Sequence, residues 1–283
     1  MFPGLAEKIF DSLDDLNLVN SKTVSRSWSE FTNNEVFYSR RIITKLVGGY
    51  EDFKDTWKLV MKKADKEMMN ELALAVKYFL SNHPENCNEE NCNHRAWSHS
   101  PLHIGAEAGQ AYLCEFILKI VTDKNPGLNE GDIGWTPLHE ATQWGYLGIC
   151  YMIMNKLEDK NPADVSGYTP FHVAAAEGKL EAFKMIMNHA TEINPRDING
   201  YTPLHAAAKY GHLETFEFIM NKVTDINPRN NVGRTPLHQA AKEGHRELCK
   251  IIADKLENKN PVDDFGWTPQ ELMWNYICGI DSW

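Results

Sequence analysis

The residues best suited to binding a metal or moving a proton are the eleven histidines and six cysteines. Four of them crowd together: His83, Cys87, Cys92 and His94 lie within twelve residues of one another. Two thiols and two imidazoles satisfy the tetrahedral demand of zinc. Their spacing matches no standard finger, however, and Cys92 and His94 are cramped as two ligands of one ion. The residues between them are mostly Asn and Glu, as in an exposed loop. A zinc site and a polar loop therefore both stay open, and no cofactor is expected.

A second set of histidines is ordered rather than crowded. His103, His139, His172, His205 and His238 each close a Thr/Ser-Pro-x-His string, at successive gaps of 36, 33, 33 and 33 residues. General acid–base work needs such groups to converge with a nucleophile, an oxyanion donor or a second titratable group. No nucleophile elbow, phosphate-cradling glycine loop or paired carboxylate recurs with them. Imidazoles one period apart also stand too far from each other to share an ion. They read as structural, and no catalytic residue is expected.

The elements that position these histidines repeat with them. Gly-Tyr-Thr-Pro-Phe-His at 167–172, Gly-Tyr-Thr-Pro-Leu-His at 200–205 and Gly-Arg-Thr-Pro-Leu-His at 233–238 are copies of one unit. Self-similarity at this period signals a solenoid of supersecondary units. Threonine caps a helix start, and proline fits the first helical position. Alanine pairs follow at 174–175, 207–208 and 240–241, small enough for helices to approach closely. Gly145, Gly178, Gly211 and Gly244 stand where a short helix must stop in a left-handed conformation. A second helix carries apolar residues at 180, 183, 186 and 187, and again at 213, 216, 219 and 220, which makes one face. Asn-Pro turns at 161–162, 194–195, 227–228 and 260–261 lead into the next copy.

These motifs resemble the ankyrin repeat family over residues 95–283: about five repeats, then a truncated capping repeat at Trp267-Thr268-Pro269-Gln270. The resemblance implies an all-α solenoid of helix pairs with short β-turn fingers. It also implies a structural hydrogen bond for each histidine, and a function in binding proteins without chemistry. The residue before each Thr/Ser-Pro is one that the repeat does not need. That column reads His99, Trp135, Tyr168, Tyr201, Arg234 and Trp267, with Trp97, Trp144 and Tyr210 nearby. Trp, Tyr and Arg dominate binding hot spots, so these nine residues form the expected partner-binding groove. A structural ladder of stacked aromatics is the other reading, and the two are compatible.

Residues 1–48 do not follow the repeat. Three short amphipathic helices are expected there, too small to bury much apolar surface alone. Pro3, Ile9-Phe10, Leu13, Leu18 and Val24-Ser25-Arg26-Ser27-Trp28 are similar to the F-box motif. That resemblance implies a three-helix module docking on the Skp adaptor of a cullin-based (SCF) ubiquitin ligase, through Pro3, Ile9, Phe10, Leu13, Leu18, Val24 and Trp28. The chain would then be a substrate-recognition adaptor, with a protein substrate in the groove. The alternative is an ankyrin scaffold or inhibitor whose N-terminal helices only cap the stack. Residues 49–94 read as a helical linker that ends in the polar Cys/His loop.

Bulk properties narrow the partners. The 283 residues are 42% apolar and 24% charged, as in a folded protein. Net charge is −10, with no basic run to track a phosphate backbone, so nucleic acid is not an expected partner. No apolar run approaches the roughly 20 residues that span a bilayer, so no membrane partner is expected. The N-terminus lacks the pattern of a signal peptide, and the scattered cysteines read as reduced thiols. A cytoplasmic or nuclear protein is expected.

Overall fold

A computed structural model describes residues 54–65, 67–69, 71–72, 74–75, 100–124, 126–127, 134–190 and 192–278; at residues 54 and 275–278 it describes the backbone alone. The F-box-like residues 1–48, the loop of His83, Cys87, Cys92 and His94, and Trp97 and His99 lie outside the described residues. Among the described residues there are α-helices and no strand; twelve helices are numbered below, and residues 67–69, 71–72 and 74–75 are helical as well. The chain divides into two compact units, residues 1–123 and 124–283.

The first unit contains α1 (Lys54–Lys63), α2 (Pro101–Glu107) and α3 (Ala111–Ile120). Trp57 and Val60 of α1 are buried, and the apolar stripe continues through the buried Met69, Leu72 and Ala75. Helix α1 packs on both α2 and α3. Helix α2 starts after Ser100, whose N–H donates to His103 Nδ1 at 3.2 Å while His103 N–H donates to Ser100 Oγ at 3.4 Å. Gly105 sets the closeness of α2 to α3, because a Cβ there would lie 3.0 Å from Cys114 Sγ.

The second unit is the repeat array. Its helices are α4 (Pro137–Trp144), α5 (Leu147–Met154), α6 (Pro170–Ala176), α7 (Leu180–Met187), α8 (Pro203–Tyr210), α9 (Leu213–Met220), α10 (Pro236–Lys242), α11 (Arg246–Lys255) and α12 (Pro269–Cys278). The inner helices stack in one row, α4 on α6, α6 on α8, α8 on α10 and α10 on α12. Each of α4, α6, α8 and α10 also packs on the outer helix that follows it. The alanine pairs make this spacing possible and are fully or almost fully buried. Phe183 and Ile186 of α7, and Phe216, Ile219 and Met220 of α9, are buried, so these two outer helices carry an apolar face and a polar one, whereas α5 is apolar nearly all round and exposes Leu147 and Tyr151. Phe171 and Phe183 pack with ring centroids 4.6 Å apart.

Between helix pairs the chain turns through fingers that share one construction. Asp164, Asp197, Asn230 and Asp263 recur at intervals of 33 residues, and each Oδ1 accepts backbone N–H groups two and four residues ahead. These are Asx turns, the reason Asp and Asn are favoured there. Neighbouring fingers are joined by one backbone bond per step: Ile198 N–H to Ser166 O, Asn231 N–H to Asn199 O and Asp264 N–H to Val232 O, at 2.9–3.1 Å. Gly200 shows why the turn ends in glycine. Its φ is +78°, and a Cβ would sit 2.5 Å from Asn231 Oδ1 and 2.9 Å from Asn231 N of the next finger.

The recurring histidines fasten each repeat to the next. The Thr136, Thr169, Thr202 and Thr235 N–H groups donate to Nδ1 of His139, His172, His205 and His238 at 3.1–3.2 Å. The opposite nitrogen, Nε2, donates to the carbonyl oxygens of Tyr168, Tyr201, Arg234 and Trp267 at 3.1–3.2 Å. The sequence assigns the helix cap to threonine; the structure shares it with the histidine. A carbonyl on Nε2 and a backbone donor on Nδ1 fix the neutral Nε2–H tautomer. Burial, partly offset by the carbonyl bond, holds His139, His172 and His205 down at about 4.

The consequence is a defined pH window. The unfolded chain takes up protons on these imidazoles near their ordinary 6.5, and the folded chain does not until about 4. Stability is therefore complete above about 6.5 and is lost as pH falls toward 4, by about 1.4 kcal/mol per pH unit for each histidine within the window. Urea melts at pH 7.5, 6 and 5 should show the midpoint dropping steeply. A flat profile over that range would contradict the neutral ladder.

Candidate protein-binding groove

The side chains left over from this scaffold line an open groove of about 490 Å³ on the second unit. Trp135, Tyr168 and Tyr201 enter it from the positions before the Thr-Pro strings, and Tyr210 from the end of α8. Asp164 and Asp197 line it from the fingers, whereas Lys209 and Lys242 do so from the ends of α8 and α10. Arg234 and Gln239 complete it toward the C-terminal repeats.

The aromatic residues of the groove are also packed against the ladder. Trp135 and Tyr168 stack with centroids 6.3 Å apart and planes at 18°. Each lies over its own histidine, at 4.8 Å for Trp135–His139 and 4.7 Å for Tyr168–His172, whereas Tyr201 meets His205 edge-on at 5.4 Å. Tyr168 Oη donates to the His172 carbonyl at 3.3 Å. Burial, reinforced by Tyr210, Glu177, Asp197 and Asp164, drives its phenol far above the ordinary value, so it stays protonated. Gln239 Nε2 donates to Tyr201 Oη at 3.4 Å. Groove and ladder are thus two sides of the same residues: Trp135 and Tyr168 stack as the ladder reading expects, and Tyr168 is in addition bonded to the backbone of its own helix.

Of the nine residues expected from sequence, the structure brings five to the groove: Trp135, Tyr168, Tyr201, Tyr210 and Arg234. Trp144 is exposed at the end of α4 and is not among the groove residues. Trp267 is half-buried, and its carbonyl takes the bond from His238. The carboxylates Asp164 and Asp197 and the lysines Lys209 and Lys242 escaped the sequence reading. The first two carried a signal, the Asp/Asp/Asn/Asp column at the same period of 33 residues.

The chemistry of titratable groups in the array is quiet. Cys150 and Cys249 are pushed up to about 11, and Cys114 in the first unit to about 12, by burial, so these thiols are not nucleophiles at neutral pH. Among the described residues no group of His, Cys, Asp and Glu is arranged to hold a metal ion. Arg234 of the groove pairs with Asp263, Nε to Oδ2 at 2.9 Å, with the Asp263 side chain fully buried. Burial alone would raise this carboxyl; the Arg234 guanidinium and two backbone N–H groups outweigh it and hold the group below the ordinary carboxylate range.

That pair makes a test of which groove residues also hold the fold. Arg234→Ala leaves a buried carboxylate without its counter-charge and should cost about 2–3 kcal/mol, somewhat under the figure for a fully enclosed pair. Adding Asp263→Asn should restore much of the loss, since Asn230 already builds the same turn. Tyr201→Ala should cost only about 1 kcal/mol, because its ring is half-exposed. Urea unfolding of the four proteins would check the order, and an Arg234→Ala protein as stable as the wild type would refute it.

Comparison with known families agrees with this architecture. The family described as "Ankyrin repeats (3 copies)" matches residues 67–164 and 153–230, and "Ankyrin repeat" matches residues 232–263. The match begins at residue 67, ahead of residue 95, where the sequence reading starts the array, and ahead of the first Thr/Ser-Pro-x-His string at Ser100–His103. The earlier segment lacks that string and keeps only an apolar stripe. No curated protein matches the chain. Families of this kind are in general non-enzymatic protein-binding scaffolds, and among the described residues no helix is long and apolar enough to cross a membrane. With well over half its length covered, the chain belongs to the ankyrin repeat family.

Proposed function

We propose that this protein is a substrate-recognition adaptor of an SCF-type, cullin-RING ubiquitin ligase. Residues 1–48 form an F-box-like module that docks on the Skp adaptor, and the repeat array, which the family match carries back from residue 95 to residue 67, holds a protein substrate. What supports the reading is the presence, in one chain, of two separate features suited to binding. One is the aromatic and charged groove of Trp135, Tyr168, Tyr201 and Arg234, built from positions that the repeat leaves free. The other is the ordered string Ile9-Phe10-x-x-Leu13 to Val24-Ser25-x-x-Trp28. The protein then does no chemistry of its own. It raises the effective concentration of substrate lysines beside a ubiquitin-loaded enzyme.

The test removes one contact and keeps the other. Leu13→Asp puts an unpaired charge into a desolvated apolar contact, at a cost of several kcal/mol. It should abolish capture of purified Skp adaptor while the melting transition of the array and groove binding persist. The variant should therefore bind substrate without promoting its ubiquitination. A wild-type chain that stays free of the Skp adaptor at tens of micromolar in sedimentation would sink the ligase reading. Loss of the array's melting transition in Leu13→Asp would instead favour the N-terminal cap of a non-ligase scaffold or inhibitor.

A further inference from the structure

Every finger aspartate or asparagine of the array uses Oδ1 to build its own turn, and the second oxygen or nitrogen is left to find another partner. At Asp263 that partner is Arg234, which stands 29 residues earlier, at the position before the Thr-Pro string. The same 29-residue relation links Trp135 to Asp164, Tyr168 to Asp197 and Tyr201 to Asn230. In those copies the guanidinium is replaced by an aromatic ring. The consequence is visible at Asp164, which is only 7% exposed. Its Oδ1 accepts from Ser166 N–H, Ser166 Oγ and Tyr168 N–H, at 2.7–2.8 Å. Its Oδ2 is buried without any hydrogen-bond partner.

A carboxylate oxygen taken from water and left unpaired is costly. Asp164 lines the groove, next to Trp135 and Tyr168 and on the same side as Asp197, whose carboxyl burial pushes upward. The array therefore contains a finger carboxylate paired with a guanidinium, Asp263 with Arg234, and a buried one of the same construction, Asp164, whose Oδ2 has no partner. The Asp263 side chain is fully buried beneath Arg234, whereas Asp164 Oδ2 is covered without a cation, so a guanidinium reaches it by displacing the side chains that close over it.

We propose that the groove recognises an arginine side chain of its protein partner, with the guanidinium on the Asp164 carboxylate and its plane against the Trp135–Tyr168 pair. The partner's arginine takes at Asp164 the part that Arg234 plays at Asp263. Arginine fits better than lysine, because a planar guanidinium both stacks on aromatic rings and makes directed bonds to a carboxylate. The inference rests on the groove being a protein-binding site and specifies what that site reads.

The test uses the full chain and three small probes: N-acetyl-arginine amide, its lysine counterpart, and the uncharged N-acetyl-citrulline amide. Tryptophan fluorescence and amide NMR shifts at Trp135 and Tyr168 should saturate with the arginine probe, at least about tenfold more tightly than with citrulline. Asp164→Asn should erase that difference without unfolding the finger, because Asn230 builds the same turn with an amide. Trp135→Arg should fill the site from within, raising the melting temperature and blocking the probe. Equal binding of arginine and citrulline, no saturable binding, or arginine binding unchanged in Asp164→Asn would overturn the proposal. A partner lost on Tyr168→Ala but indifferent to Asp164→Asn and to excess arginine amide would overturn it while leaving protein docking in place. A partner indifferent to all groove substitutions would remove the docking itself.

Discussion

The array depends on a neutral imidazole that is bonded at both ends. One nitrogen accepts from the threonine N–H that begins its own helix, and the other donates to a carbonyl of the following repeat. This single side chain closes a helix terminus and ties two units together, both of which would otherwise leave buried backbone groups unsatisfied. Because the ring sits at full burial it must be uncharged, and because it must be uncharged it cannot serve as an acid, a base or a positively charged anchor at neutral pH. The residue type that most invites a catalytic interpretation is the one that the scaffold has used up.

What the scaffold does not use becomes the binding surface. The position before the threonine contributes its carbonyl to the ladder at Tyr168, Tyr201, Arg234 and Trp267, and its side chain varies from copy to copy. The finger acids obey the same division of labour, Oδ1 for the turn and the other atom for whatever stands opposite. A groove made this way is aromatic and acidic from the finger side and carries Lys209, Lys242 and Glu243 from the helix side, and its composition changes copy by copy while its backbone does not. Specificity in such an array is written in the variable column and read against a constant frame.

Much of this was legible in the sequence. The strings of Thr-Pro-x-His, the alanine pairs and the terminal glycines at +63° to +78° are local demands of capping, close packing and left-handed turns, and local demands leave their mark in residue type. The first unit was less legible. Its α1 and the segment around Leu72 keep an apolar stripe but no capping string, and a stripe alone does not reveal a repeat. The aspartate column was present in the letters, yet an acidic residue in a turn looks like any solvated turn until the depth of Asp164 is known. Depth is a property of stacking, produced by residues one full copy away.

The fixed spans between bonded partners also govern how a chain of this kind can lengthen or shorten. Each histidine reaches 29 residues ahead, and Arg196 and Arg229 each reach 33 residues ahead to the carbonyls of Arg229 and Val262. Removing or duplicating 33 residues anywhere within the regular part returns every donor to an acceptor of the same kind, whereas a change of one or two residues inside a copy breaks a ladder bond, a finger bond and a turn together. The spacing of 36 residues between His103 and His139 departs from this rule, and it falls where the two compact units divide. Inheritance in such a molecule is quantised: length varies in whole copies, and the reading surface can gain or lose a letter without the frame being redrawn.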